Sequence, residues 1–203
     1  MSDFVHLSAP ALPPINEREV LRYMGAKQPT DEVLSLLREC TNEAEKCFAN
    51  RICYRKFEIY VQENMLDLGF ATVASAALAK NLAHCDCIVL FAATVGLDVD
   101  RLIAKYSRLS PARAVCLQAI GAERIEALCD AFCEDLREKY VAEGKGLRPR
   151  FSPGYGDLPL DLQTDIFQTL DCPRKIGLSL NDSLLMSPSK SVTAIVGIQK
   201  IDI

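Results

Sequence analysis

"IGLSLNDSLLMSPSKSVTAIVGIQ" occupies residues 176–199. Its β-rich runs, 176–182, 183–188 and 191–199, predict three short strands joined by turn residues. No helical pattern lies between them, and strands that follow one another directly pair antiparallel. Working back along the chain, "DLQTDIFQTL" predicts a helix with Asp161 near its start. A loop rich in Arg, Pro and Gly precedes it. Before the loop, a long helix runs from Pro111 to about Val141, with Ile125, Leu128, Cys129, Phe132, Leu136 and Tyr140 on one stripe. "LDVDRLIAKYSRL" and "VASAALAKNLAHC" read as helices, and "CIVLFAATV" between them as a buried strand. "ICYRKFEIYV" alternates in part and reads as a strand. "TDEVLSLLRECTNEAEKCFA" is a helix capped by Thr30, and "NEREVLRYMG" a short helix ending near Gly25. Residues 1–15 form an extended, Pro-rich arm, and 16–203 a single domain. Helices and strands do not alternate strictly, so the pattern predicts an α+β fold with helices on a twisted, mainly antiparallel sheet.

The composition narrows the function. Hydrophobic residues make up 49% of the 203, enough for a large core. A formal net charge of -4 gives no basic field to recruit nucleic acid. No apolar run approaches a membrane span, and "MSDFVHLSAPALPP" has no cationic-then-apolar leader pattern. The expectation is a cytoplasmic protein without nucleic-acid or membrane partners.

Nine cysteines scattered through such a chain predict reduced, mostly buried thiols. The cluster "AHCDCIV" brings His84, Cys85 and Cys87 together, but a metal site needs about four ligands, usually as two pairs. No CxxC occurs and the other histidine is His6. The expectation is no bound metal.

The stretch "RPRFSPGYGDLPLDLQTDIF" (148–167) carries the chemistry. Pro149 and Pro153 stiffen the backbone around Arg150, and Gly154 can take a positive φ. A guanidinium on such a turn is pre-organised for a carboxylate. Tyr155 adds an aromatic face, and unpaired backbone groups near Ser152 and Gly154 can meet the polar edge of a heterocycle. Two readings stand: a site for a small amphoteric ligand with a carboxylate and a ring, or a rigid loop whose arginine salt-bridges a nearby acid.

The same residues carry a resemblance. Arg150, Pro153, Gly154 and Tyr155, then Ile176 and Gly177, Leu180 and Ser183, and Met186, Pro188, Ser191 and Val192 are similar to the ordered motifs of the reactivation domain of cobalamin-dependent methionine synthase. "ALCDAFCEDLRE" resembles the family's long helix, and "EVLRYMG" and "VLFAATVG" resemble its stand-alone branch.

The resemblance implies that fold and a place in methionine biosynthesis. It implies binding of S-adenosylmethionine by Arg150, Ser152, Gly154, Tyr155 and Asp130. Arg150 would take the α-carboxylate, backbone groups near Ser152 and Gly154 the adenine, and an acid on the long helix the sulfonium side. Asp130 stands at that acid's position, where the family has glutamate. The family's late tyrosine has no counterpart, since none follows Tyr155. Its acidic contact near the N-terminus falls in "PPINEREV", where Asn16, Glu17 and Glu19 are the candidates. The implied role is that of an accessory to methyltransferase activity, supporting reductive methylation (reactivation) of cobalamin carried by a separate methionine synthase or other corrinoid protein. The alternative is a docking module that grips the corrinoid protein without binding S-adenosylmethionine. No Asp-x-His-x-x-Gly context surrounds His6 or His84, so the cobalamin is expected on the partner.

Overall fold

The computed structural model describes residues 4–200. In chain order the elements are β1 (His6–Ser8), α1 (Glu17–Tyr23), α2 (Asp31–Ala44), β2 (Arg51–Glu58), β3 (Tyr60–Gln62), β4 (Met65–Asp67), β5 (Thr72–Ala74), α3 (Ala76–Asn81) and β6 (Cys85–Thr94). Then come α4 (Asp98–Leu109), α5 (Pro111–Val141), β7 (Lys145–Leu147), α6 (Leu162–Leu170), α7 (Cys172–Ile176), β8 (Ser179–Leu180), β9 (Met186–Ser187) and β10 (Ser191–Lys200). The main sheet has five strands in the order β1-β2-β6-β10-β7, and each pair is antiparallel.

The centre of the sheet is buried on both faces because β6 and β10 are apolar at successive positions. In β6, Val89, Phe91 and Ala93 face one core, while Ile88, Leu90 and Ala92 face the other. That is the period-2 alternation of a strand, with both phases hydrophobic. The first core is covered by α1, α2, α4 and α5, which contribute Val20, Leu37, Leu102, Leu117 and Phe132 among others. Phe132 meets Phe91 at 5.1 Å between ring centroids, and Tyr54 at the same distance. The second core is closed by α3, α6, α7 and the small sheet β3-β4-β5.

Local chemistry sets the helix starts. Thr30 accepts the amide of Val33 and caps α2, as expected. Asn16 caps α1 by accepting from the amides of Arg18 and Glu19. α5 begins with Pro111 in its first turn, where the missing N–H has no intrahelical partner to lose. Its 31 residues make a rod about 46 Å long.

Several features depart from the sequence reading; Ile176, read as the start of a strand, ends α7 instead. The arm contributes an edge strand, since His6–Ser8 pairs with Tyr54, Cys53 and Ile52. Val73 and Ala74, expected to be helical, belong to the strand Thr72–Ala74 of the small sheet; Ser75 then accepts the amide of Leu78 and caps the shorter α3. Lys145–Leu147, read as loop, extends the main sheet against β10.

Candidate functional site: an arginine turn against an acidic helix face

The turn hangs from β10. Arg148 donates its amide to the Gly197 carbonyl at 2.9 Å, and Phe151 and Ile195 exchange bonds at 2.9 and 2.8 Å. This bridging sends the two arginines to different elements. Arg148 reaches α3, where its Nε donates to the carbonyl of Asn81 at 2.7 Å. Arg150 reaches α5, where its Nη2 donates to Glu126 Oε2 at 3.0 Å and to Asp130 Oδ1 at 2.7 Å. Glu126 and Asp130 lie four residues apart on one helix face, so a single guanidinium spans both. Burial works against the charge of Arg150, but neighbouring Cys129, Glu126 and Asp130 raise its pKa above the ordinary value. Beneath them burial pushes the Cys129 thiol up to about 12 and Cys133 to about 11.

Glu126 and Asp130 also line a cleft of about 790 Å³ between α5, α1 and the arm, within the size range of small-molecule sites. Carboxylates dominate its α5 wall, with Glu123 and Glu134 above and below the arginine-bound pair. Glu134 is bonded to Arg137. The opposite wall is Pro13 and Pro14 of the arm, the α1 cap Asn16, and Glu19, Arg22 and Tyr23 of α1. Of the three N-terminal candidates, Asn16 and Glu19 reach the cleft and Glu17 is not among its lining residues.

The arm is fastened to α5 by two adjacent residues. Arg124 Nη1 donates to the Pro13 carbonyl at 2.8 Å, and Glu123 Oε1 accepts the Asn16 amide and Arg124 Nη2, both at 3.1 Å. Both side chains are only 6% exposed. Leu12 and Ile15 pack against the first core beside this fastening. Sequence reasoning missed Glu123 and Arg124; the one available signal was a charged pair flanked by the buried Ile120, Gly121 and Ile125.

The rest of the turn folds on itself. Gly154 has φ +83°, the left-handed region in which glycine avoids the strain of a side chain. Its amide donates to the Leu158 carbonyl at 2.9 Å, and the Tyr155 amide donates to the Ser152 carbonyl at 3.1 Å. The expectation of unpaired groups is thus corrected for the Gly154 N–H and the Ser152 carbonyl. Tyr155 is 71% exposed and stands edge-on to Phe151 at 5.5 Å. Arg150, Ser152, Gly154 and Tyr155 are not among the residues that line the acidic cleft; Arg150 meets it through Glu126 and Asp130. Asp157 ties the turn to α3: its carboxylate accepts from the Ser75 hydroxyl at 2.5 Å and from the amides of Ala76 and Ala77 at 2.7 and 3.1 Å.

The His-Cys cluster separates by burial. His84 is exposed at φ +65°, whereas Cys85 is buried and its thiol is pushed up to about 11 by desolvation. Among the described residues no helix is long and apolar enough to cross a membrane.

Residues 71–200 match the family model for the vitamin B12 dependent methionine synthase activation domain. The chain belongs to this family. Arg150, Asp130 and the whole 148–157 turn lie inside the matched segment, whereas the arm and α1 lie outside it. The activation-domain fold extends over those elements too. A crystal structure of the MetH reactivation domain bound to AdoHcy is 16% identical, with a TM-score of 0.69 over 98% of this chain and 80% of that one. No curated protein sequence matches.

Proposed function

We propose that this chain binds S-adenosylmethionine and supports reductive methylation of cobalamin on a separate methionine synthase or other corrinoid protein. The observation that carries the reading is Arg150, held on a stiff turn against two carboxylates of a ligand-sized acidic cleft. The arrangement favours exchange. Asp130 is 72% exposed, so its ion pair with Arg150 is weak and readily opened. An incoming α-carboxylate takes over the Arg150 fork, and the donor's sulfonium charge replaces Arg150 beside Asp130. Ser152 and Gly154 shape the turn, and Tyr155 offers its exposed ring to the nucleoside. The reduced cobalamin supplies the nucleophile for the donor's methyl group; this chain binds and orients the donor.

A corrinoid protein loaded with cob(II)alamin, S-adenosylmethionine and a low-potential reductant provides the test. The expected result is a methylcobalamin spectrum only when this chain is added. No acceleration with any corrinoid protein of the same cell overturns the reading. One observation favours a second role, as a docking module that no longer binds the donor: Arg150 is already satisfied internally by Glu126 and Asp130. Calorimetry with S-adenosylmethionine separates the two, since the docking module gives no binding heat.

A further inference from the structure

We infer that Glu123 is the acceptor for the ammonium group of the bound amino-acid ligand. The inference rests on the proposed function and names a residue outside the Arg150 constellation. Glu123 is 5% exposed and lines the acidic cleft. Its two oxygens are used unequally. Oε1 accepts both the Asn16 amide and Arg124 Nη2, whereas Oε2 is buried with no hydrogen-bond partner among the described residues. A buried carboxylate oxygen left without a donor is uncommon in folded proteins and calls for an explanation. A donor supplied by a ligand in the cleft is one. The neighbouring candidate for the same task is occupied, because the Asn16 side-chain oxygen accepts from Arg18 and Glu19.

Helix geometry fixes which donor fits. Glu123 and Glu126 lie three residues apart, a rise of about 4.5 Å along α5 and the same face. Arg150 sits between the levels of Glu126 and Asp130, three and seven residues on from Glu123. A ligand whose carboxylate is on Arg150 therefore has the other substituent of its α-carbon on the same helix face as Glu123 and within two turns of it. In an amino acid that substituent is the ammonium. Glu123 and Arg150 together form a receptor for a zwitterionic head group, with the acid on the helix and the base on the turn. Because Oε1 holds the Asn16 amide, the arm and the head group share one carboxylate. Filling Oε2 completes the bonding of the residue that fastens the arm.

The test compares two nucleosides on the whole chain. S-adenosylmethionine carries the amino-acid head and a sulfonium charge; 5′-methylthioadenosine carries the nucleoside with neither. Glu123→Gln retains an oxygen for the Asn16 amide but removes the charge. The expected result is a loss of roughly ten- to a hundredfold in S-adenosylmethionine affinity, with 5′-methylthioadenosine affinity unchanged. Undiminished S-adenosylmethionine binding overturns the assignment while leaving the proposed function standing. Equal loss of both nucleosides also overturns it, because the residue then acts only by holding the arm. Arg124→Met is the control for that outcome: it loosens the arm without touching Oε2, and the assignment requires that it spare the discrimination between the two ligands. A parent chain that binds neither nucleoside removes the proposed function and this inference together.

Discussion

Replacing Arg150 with alanine separates the two readings of the turn by size of effect. In the structure the guanidinium serves Glu126, which is 46% exposed, and Asp130, which is 72% exposed. Ion pairs to such accessible partners contribute about 0–1 kcal/mol each. Loss of both moves the melting temperature of a chain this size by a few degrees, at roughly 2–4 °C per kcal/mol. The ligand pair is different, because the donor's carboxylate meets a side chain only 24% exposed on a pre-organised turn. Removing one partner of such a charge-assisted pair costs about 2–5 kcal/mol, or roughly thirty- to several-thousandfold in affinity. Calorimetry at fixed ionic strength and thermal unfolding on the same samples read the two quantities side by side. The expected result for Arg150→Ala is a large loss of S-adenosylmethionine affinity with a small change in melting. Arg150→Lys keeps the charge but not the two-pronged geometry and falls between. Parent-like binding by Arg150→Ala refutes the assignment. A collapse in melting temperature refutes the claim that the internal pairs are weak.

Gly197→Ala tests the sheet above the turn, since an added methyl meets Cys85 Sγ and Leu82 Cδ2 at 2.7 Å and Arg148 Cγ at 3.1 Å. We expect destabilisation of about 1–3 kcal/mol in denaturant unfolding, and parent-like stability contradicts the packing described. Asp157→Asn tests the tie between the turn and α3 through its pH dependence. The Ser75 hydroxyl, with the amides of Ala77 and Ala76, lowers the Asp157 pKa below the ordinary carboxylate value. A carboxyl lowered in the native state stabilises above its unfolded pKa, and that contribution fades as pH falls through the native value. The variant therefore melts below the parent at neutral pH, and the two curves converge in acid; a gap independent of pH refutes the ionic role.

The parts of this fold written in local patterns were legible. The long stripe of α5, the Thr30 cap and the doubly apolar β6 each follow from a run longer than one turn or pleat, and the structure has all three. β4, β5 and β7 were not, because three residues cannot display an alternation. At the site, Arg150 and Asp130 were picked from separate motifs, and the structure joins them at 2.7 Å. Ser152, Gly154 and Tyr155 were expected beside them; like Arg150 they are not among the residues lining the cleft, and the turn closes hydrogen bonds of its own. Glu123 was invisible for another reason. In the sequence it is one more charge on a helix, and only the arm, a hundred and seven positions earlier, gives it burial and a role.

The strand order has a bearing on how the molecule is made. β6 lies between β2 and β10, and Thr94 pairs with Ser191 almost a hundred residues later. On a ribosome, β6 emerges well before the neighbour that completes it. Until then it presents an open hydrogen-bonding edge and apolar side chains, a surface that other nascent strands and chaperones can reach. Such distant pairing also makes closure slow relative to helix formation. β7 and the Phe151 bridge have β10 as their sheet partner, so before β10 docks the chain around Arg150 lacks its sheet anchor and is left with its side-chain ties to α3. In this order of assembly the helices are ready first, the sheet closes second, and the guanidinium reaches its acids last.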